Sequence, residues 1–275
     1  MKTLRRYLSR IWFPSSPLLM SLLLLSCEEV IELDLSDVEN QIVIEGKISN
    51  ISSTSGVKLG FARSAFENSE PRATSGAVVT LSDDIGNSEI LRESQRGIYI
   101  PTKITGAPHR TYTLRVEFDG QVYSGVSTMP LPMTFDSIRC ITLYGYPQIP
   151  NPLALKYYIT NTPGVDEYCL IKAYHPNDDH VFWTVCSDKY STGKQVALDG
   201  PTFYSTKPTI IVDLISIDKA MYEYFYSLRQ LIDGDDVEAP DLLNINEYNP
   251  KSNFTNNALG YFSAQAQRSY VLTRK

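Results

Sequence analysis

Residues 112–118 read YTLRVEF, residues 119–120 read DG, and residues 121–127 read QVYSGVS; the fold class turns on this stretch. Both arms alternate apolar and polar residues, the period of a half-buried strand. Asp119-Gly120 is a preferred dipeptide for a two-residue type I′ turn, because both residues accept a positive φ. Tyr112, Leu114, Val116 and Phe118 share one face of the first arm, and Val122, Ser124 and Val126 line one face of the second. The stretch predicts a β-hairpin.

Upstream, residues 41–49 (QIVIEGKIS) alternate in the same way, and residues 50–56 form a Ser-rich loop. Further strand candidates lie at 58–65, 76–82 and 88–92, with Asp83-Asp84-Ile85-Gly86-Asn87 as the turn between the last two. Short strands with frequent turns imply an immunoglobulin-like or transthyretin-like β-sandwich over residues 41–129. Pro130-Leu131-Pro132 disfavours a continuing strand and marks a domain boundary. Beyond it, strands are expected at 137–144, 155–160, 167–174, 180–187 and 209–215. Ile217, Met221, Tyr224, Phe225, Leu228, Leu231 and Ile232 recur on one helical face, which predicts a helix over 217–233. Ser216 is placed to cap its start and Gly234 its end. Residues 133–275 are thus expected to form a second β-rich domain whose sheet packs against that helix. An acidic loop (233–241) and an Asn-rich irregular segment (244–257) follow the helix.

The amino end carries a different signal. Lys2, Arg5, Arg6 and Arg10 stand before any acid, and an apolar run extends from Leu18 through Leu25. A basic head and a short apolar core describe a secretory signal peptide over residues 1–26. The core is shorter than the roughly 20 residues that a membrane span needs. Leu24-Leu25-Ser26-Cys27 resembles the lipobox of bacterial lipoproteins, whose cysteine is acylated and becomes the mature amino terminus. Cys27 is the expected lipidation site, and residues 27–40 the tether. Attachment would rest on acyl chains, each buried CH₂ contributing about 0.8 kcal/mol.

The chain is 43% hydrophobic and 20% charged, which places it among globular proteins and not disordered ones. Its formal charge of −6 includes the four signal-peptide cations, so the body after Cys27 is more acidic still. Such a body argues against nucleic acid and against electrostatic adhesion to anionic lipid. The 18 tyrosines and 10 phenylalanines suit half-buried sheet positions, and exposed ones also suit recognition. Cys140, Cys169 and Cys186 remain after Cys27. Cys169 and Cys186 fall on two candidate strands joined by a polar turn, which allows either a cross-strand disulfide or two buried thiols.

No catalytic chemistry is legible. His175 and His180 flank Asn177, Asp178 and Asp179, but spacing places no further ligand, so the segment reads as a polar hairpin loop and not a metal site. His109 reads as an exposed loop residue. The sequence has no nucleophile elbow, P-loop or dinucleotide fingerprint. Asp83-Asp84 and Asp235-Asp236 stand on turns, and Asp233-x-Asp235-Asp236 lacks the rest of an EF-hand. Neither an enzyme nor a cofactor is expected. Asp136-Ser137-Ile138 resembles a three-residue O-glycosylation pattern of exported Bacteroidota proteins, with Ser137 as the acceptor.

Several separated pieces carry a family resemblance. They are Cys27-Glu28-Glu29, Ile42-Val43-Ile44-Glu45-Gly46, Gly76-Ala77-x-Val79-x-Leu81 and Gly97-Ile98-Tyr99. Tyr112-x-Leu114-x-Val116 with Asp119-Gly120-x-x-Tyr123, Tyr222-Glu223-Tyr224 and Ala258-Leu259-Gly260-Tyr261-Phe262 follow. In this order they resemble the Bacteroidota lipoprotein family called domain of unknown function 4249. The resemblance implies a β-rich outer-membrane lipoprotein, anchored on the cell surface or the periplasmic face. Family members are commonly encoded near TonB-dependent receptors. This implies an outer-membrane β-barrel partner and an accessory role in nutrient uptake or surface assembly. A stand-alone surface adhesin or glycan-binding lipoprotein is the other reading, with stacking rings supplied by Tyr-rich loops such as 144–150.

Overall fold

The computed structural model describes residues 41–62, 72–145, 151–188, 193–205, 207–233 and 249–274. The expected signal peptide and tether (1–40), Gly234, the acidic loop beyond Asp233 and residues 244–248 of the Asn-rich segment lie outside these. The chain is mostly β. In order it forms β1 (Ile42–Ser49), β2 (Gly56–Phe61), β3 (Arg72–Ala73), β4 (Val78–Asp83), β5 (Ser88–Ile90), β6 (Arg92–Gln95) and β7 (Ile98–Ile100). There follow β8 (Thr111–Phe118), β9 (Gln121–Thr128), β10 (Ser137–Thr142), β11 (Leu153–Thr160), β12 (Tyr168–Tyr174), β13 (Val181–Ser187), β14 (Gln195–Phe203) and β15 (Thr209–Ile217). The helix α1 (Lys219–Asp233) and a long last strand, β16 (Leu259–Thr273), complete the chain.

The hairpin at 112–127 forms as β8 and β9. Asp119 and Gly120 take φ of 49° and 73°, and Phe118 pairs with Gln121 across them. Tyr112, Leu114 and Val116 are fully buried. In the second arm Val122, Ser124 and Val126 share the outer face, with both valines exposed, and Tyr123, Gly125 and Ser127 face inward. The turn fixes this register, because Val116, Leu114 and Tyr112 pair with Tyr123, Gly125 and Ser127. Phe254 and Phe262 fill the space a valine would have taken; a Cβ at Gly125 would lie 2.8 Å from the Phe254 ring.

Among the described residues, the largest sheet runs β13-β12-β15-β16-β1-β2-β7-β6, with β3 beside β2. Two smaller sheets run β5-β4-β8-β9 and β10-β11-β14. Strand β16 is the spine of the large sheet. It pairs parallel to β1 (Ile44 with Gly260, Ile48 with Ala264) and antiparallel to β15 (Ser216 with Ala266, Val212 with Tyr270).

Alternation along β16 assigns the layers. Phe262, Ala264 and Ala266 belong to one core with Ile44, Ile48, Leu114, Val116 and Tyr112, beneath the four-stranded sheet. Tyr270 and Leu272, of the same parity, pack on a second core with Tyr157, Ile171, Val212 and Leu214, beneath the three-stranded sheet. Tyr261, of opposite parity, joins a third cluster with Leu170, Ile215, Ile217 and Met221 under α1. Each fully buried large apolar side chain contributes about 1.5–3 kcal/mol.

Pro130-Leu131-Pro132 therefore separates two cores and the two small sheets, but the large sheet takes strands from both sides of it. The sandwich expected over 41–129 is completed by Phe254, Ala258 and β16 from the far end of the chain. All described residues belong to one compact unit.

Helix α1 also begins differently. Ile217 ends β15, and Asp218 is the cap: its Oδ1 accepts the Met221 N–H at 2.9 Å. Ser216, the expected cap, stays in β15 and accepts the Met133 N–H on its Oγ at 2.8 Å. Asp218 Oδ2 also accepts the Ser127 hydroxyl at 2.5 Å, and Ser127 Oγ accepts the Ala264 N–H at 2.8 Å. One aspartate thus links α1, β9 and β16.

Candidate functional site

Cys27 lies outside the described residues. Cys169 and Cys186 are direct cross-strand partners on β12 and β13, with Cα atoms 5.1 Å apart, and they are joined as a disulfide. Cys140 is an exposed free thiol on β10, and partial burial pushes its pKa up. Ser137 is the exposed first residue of β10. The Asp136 carboxylate beside it accepts the Thr160 hydroxyl and the Gln195 amide, both at 2.7 Å.

The histidines do not converge. His175 is buried, with Nδ1 2.7 Å from the Thr209 carbonyl and its ring edge-on to Phe203. His180 lies edge-on to Phe182, and its N–H donates to Asp178, which also binds Lys207. Asn177 takes φ of 59°, as a turn requires. No group of three or more His, Cys, Asp or Glu is placed to hold a metal among the described residues. The turn acid Asp83 is engaged locally, accepting the Ile85 and Asn87 N–H groups and the Asn87 side-chain amide.

Most of the concentrated polar chemistry lies on the helix side of the large sheet. Here α1 supplies Tyr222, Tyr224 and Phe225, packed against Tyr168, Trp183 and Tyr261 with ring centroids 5.1–6.1 Å apart. Arg229 lies over the Trp183 ring and donates to the Trp183 carbonyl at 3.0 Å. Burial, then the nearby Glu45 carboxylate, push the Tyr224 hydroxyl up to about 12, and the same two causes raise Tyr261.

Beyond the rings this face turns polar. On β16 it presents Ser263, Gln265 and Gln267, each at least nine-tenths buried. Lys47 and Ser49 of β1 are the direct partners of Ser263 and Gln265. On the other side of β16, Asp213 of β15 pairs with Ser269, and Lys172 of β12 pairs with Asp213. Asp213 is occupied, accepting hydroxyls from Ser269 at 2.6 Å and Tyr174 at 3.2 Å. Burial first, and Lys47 second, push the Lys172 ammonium below its usual range, against the pull of Asp213. Burial and Lys58 likewise lower Lys47, against the pull of Glu45. Alongside, Val43, Glu45, Lys58, Arg96 and Gly97 line a cavity of about 290 Å³.

Sequence reasoning did not single out this polar strip. Its signal is the alternation Ser263-Ala264-Gln265-Ala266-Gln267, in which alanines face a core and polar residues face away from it. Strand propensity hides it, because Ala is depleted in strands.

The architecture defines a class: a mostly β body in which two small sheets and one helix cover opposite faces of a large sheet. The family model described as Domain of unknown function (DUF4249) matches residues 28–270, and the chain belongs to that family. No curated protein matches the chain.

Proposed function

We propose that the protein is a non-catalytic, lipid-anchored accessory protein of the outer membrane that associates with a TonB-dependent receptor or transporter, in nutrient uptake or surface assembly. The observation that carries this reading is the sequence before Cys27: a basic head, a short apolar run and Leu24-Leu25-Ser26-Cys27. Among the described residues no helix is long and apolar enough to cross a membrane, so a lipid on Cys27 would supply the attachment. Two tests address the two parts. Metabolic labelling with a clickable fatty acid should mark the wild type and not Cys27→Ser; equal labelling of both contradicts the anchor. Affinity purification from native membranes in mild detergent should recover a large β-barrel partner, and recovery of the lipoprotein alone contradicts the association.

The adhesin or glycan-binding reading is supported by Tyr144, which is 82% exposed in the loop that follows β10. Residues 146–150 of that loop lie outside the described residues. Glycan binding by the purified chain without any barrel would favour this reading over the first.

A further inference from the structure

We propose that the cavity on the helix-side face of β1, β2 and β7 binds a small zwitterion, a free α-amino acid or a short peptide, with its ammonium against Glu45 and its carboxylate between Lys58 and Arg96. Val43, Glu45, Lys58, Gly60, Arg96 and Ile98 line this one cavity of about 290 Å³. Strand register sets their order. Glu45 faces Lys58 and Val43 faces Gly60 across β1 and β2, and Lys58 faces Ile98 across β2 and β7. Ile44, Val57 and Tyr99, of opposite parity, belong to the core beneath. On its other side Glu45 is the partner of Tyr261, whose ring packs with Tyr224 and Phe225 of α1, so the acidic end lies next to the aromatic cluster. Arg96 comes from the tight turn between β6 and β7, and its position is fixed from several sides. Its Nε donates to the Ala73 carbonyl at 3.2 Å. The next residue, Gly97, accepts the Leu59 N–H at 2.8 Å and donates its own N–H to Glu93 at 2.9 Å. A Cβ at Gly97 would lie 2.6 Å from the Leu59 carbonyl oxygen, so a glycine is what lets this turn close on β2.

The second observation is that the charges around the cavity do not neutralise one another. Opposite charges directly across two strands attract and stabilise a sheet when they meet. Glu45 and Lys58 are so placed, yet among the described residues they form no ion pair, and neither side chain makes a hydrogen bond. The terminal nitrogens of Arg96 likewise have no partner among the described residues. A plain anion would meet the repulsion of Glu45, and a plain cation that of Lys58 and Arg96. A ligand carrying both signs pairs with all three through charge-assisted hydrogen bonds, and the guanidinium fork suits a carboxylate. Val43, Ala73 and Ile98 add an apolar wall for a small side chain. The volume falls just below the roughly 300–1,000 Å³ of sites that take drug-sized ligands, so the ligand is small. This site does not depend on the lipid anchor or on a barrel partner, and its failure would leave the proposed function standing.

The test is calorimetric titration of the purified full chain with alanine and with dialanine at low ionic strength. Saturable binding of at least one is expected, and the tighter of the two distinguishes an amino-acid site from a peptide site. The same probe with its amine acetylated, or with its carboxylate converted to an amide, should bind at least tenfold more weakly. Glu45→Gln should weaken the zwitterion at least tenfold and leave the acetylated probe unmoved, a difference that a merely structural role would not produce. Lys58→Met and Arg96→Met should each weaken the zwitterion at least tenfold. Lys251→Met, at an exposed position before β16, should leave binding unchanged. Should Arg96→Met not fold, Glu45→Gln, Lys58→Met and the blocked probes carry the test. Absence of saturable binding of both zwitterions into the millimolar range would overturn the proposal. Equal binding of the acetylated probe would overturn it too, as would unchanged affinity in the folded variants.

Discussion

The regions on either side of Pro130-Leu131-Pro132 achieve stability by different means. The C-terminal region is locally tied: β12 and β13 are bridged by Cys169–Cys186, β15 leads directly into α1, and β10, β11 and β14 cover the second core. The N-terminal region is not self-contained. Its core takes Phe254, Ala258, Phe262, Ala264 and Ala266 from the end of the chain, and β1 finds its second neighbour in β16. A stretch that looks like an independent sandwich thus depends on contacts more than 200 residues away, such as Ile44 with Gly260. Closing such long-range contacts costs loop entropy that local hairpins avoid.

The comparison breaks most severely where β16 enters the sheet. Gly260 takes φ of +90°, and a Cβ there would strike the Ile44 carbonyl group of β1. Gly260→Ala combines backbone strain with displacement of β1 and should destabilise the whole unit by at least about 3 kcal/mol. Urea unfolding would show it as a lower midpoint for both regions.

Reducing the disulfide should act on one region only. The bridge closes a sequence separation of 17 residues, for which chain entropy gives about 3 kcal/mol. Amide exchange should quicken in β12 and β13 after reduction and stay unchanged in β4 and β8. Uniform acceleration would show that the regions unfold as one.

A smaller effect sharpens the N-terminal side. Glu89 is 6% exposed, and its carboxylate accepts the Thr102 N–H and hydroxyl at 2.7 and 2.6 Å, and the Lys103 and Ile104 N–H groups at 2.9 and 3.0 Å. Burial opposes ionisation, but these bonds outweigh it, and the pKa falls below the ordinary glutamate value. A depressed carboxylate pKa contributes stability above the unfolded-state value, and that contribution is lost as pH falls through the folded-state value. Glu89→Gln should cost about 1–2 kcal/mol at neutral pH, and its deficit against wild type should shrink on acidification. A constant deficit from neutral to acid pH would contradict this role.

What could be read in the sequence follows from how local each signal is. The hairpin was legible because a two-residue turn fixes its register, and α1 because its apolar face repeats over four turns. Which face of β9 turns inward was not, since it depends on Phe254 and Phe262 filling the hollow at Gly125. Strand β14 was hidden by its Gly200-Pro201, and β16 by a run of Ala, Ser and Gln. The cap at Asp218 lost to Ser216 in the sequence reading because the strand continues through Ile217. The strip of Ser263, Gln265, Lys47 and Ser49 is assembled from two strands far apart in the chain, and no spacing announces it.

The dependence of the N-terminal core on β16 is tested most directly with the fragment 41–129, alone and joined through a flexible linker to residues 250–275. Without β16 the fragment should show no cooperative transition in urea, and the linked form should regain one. Cooperative unfolding of 41–129 by itself would contradict the account and establish an independent sandwich.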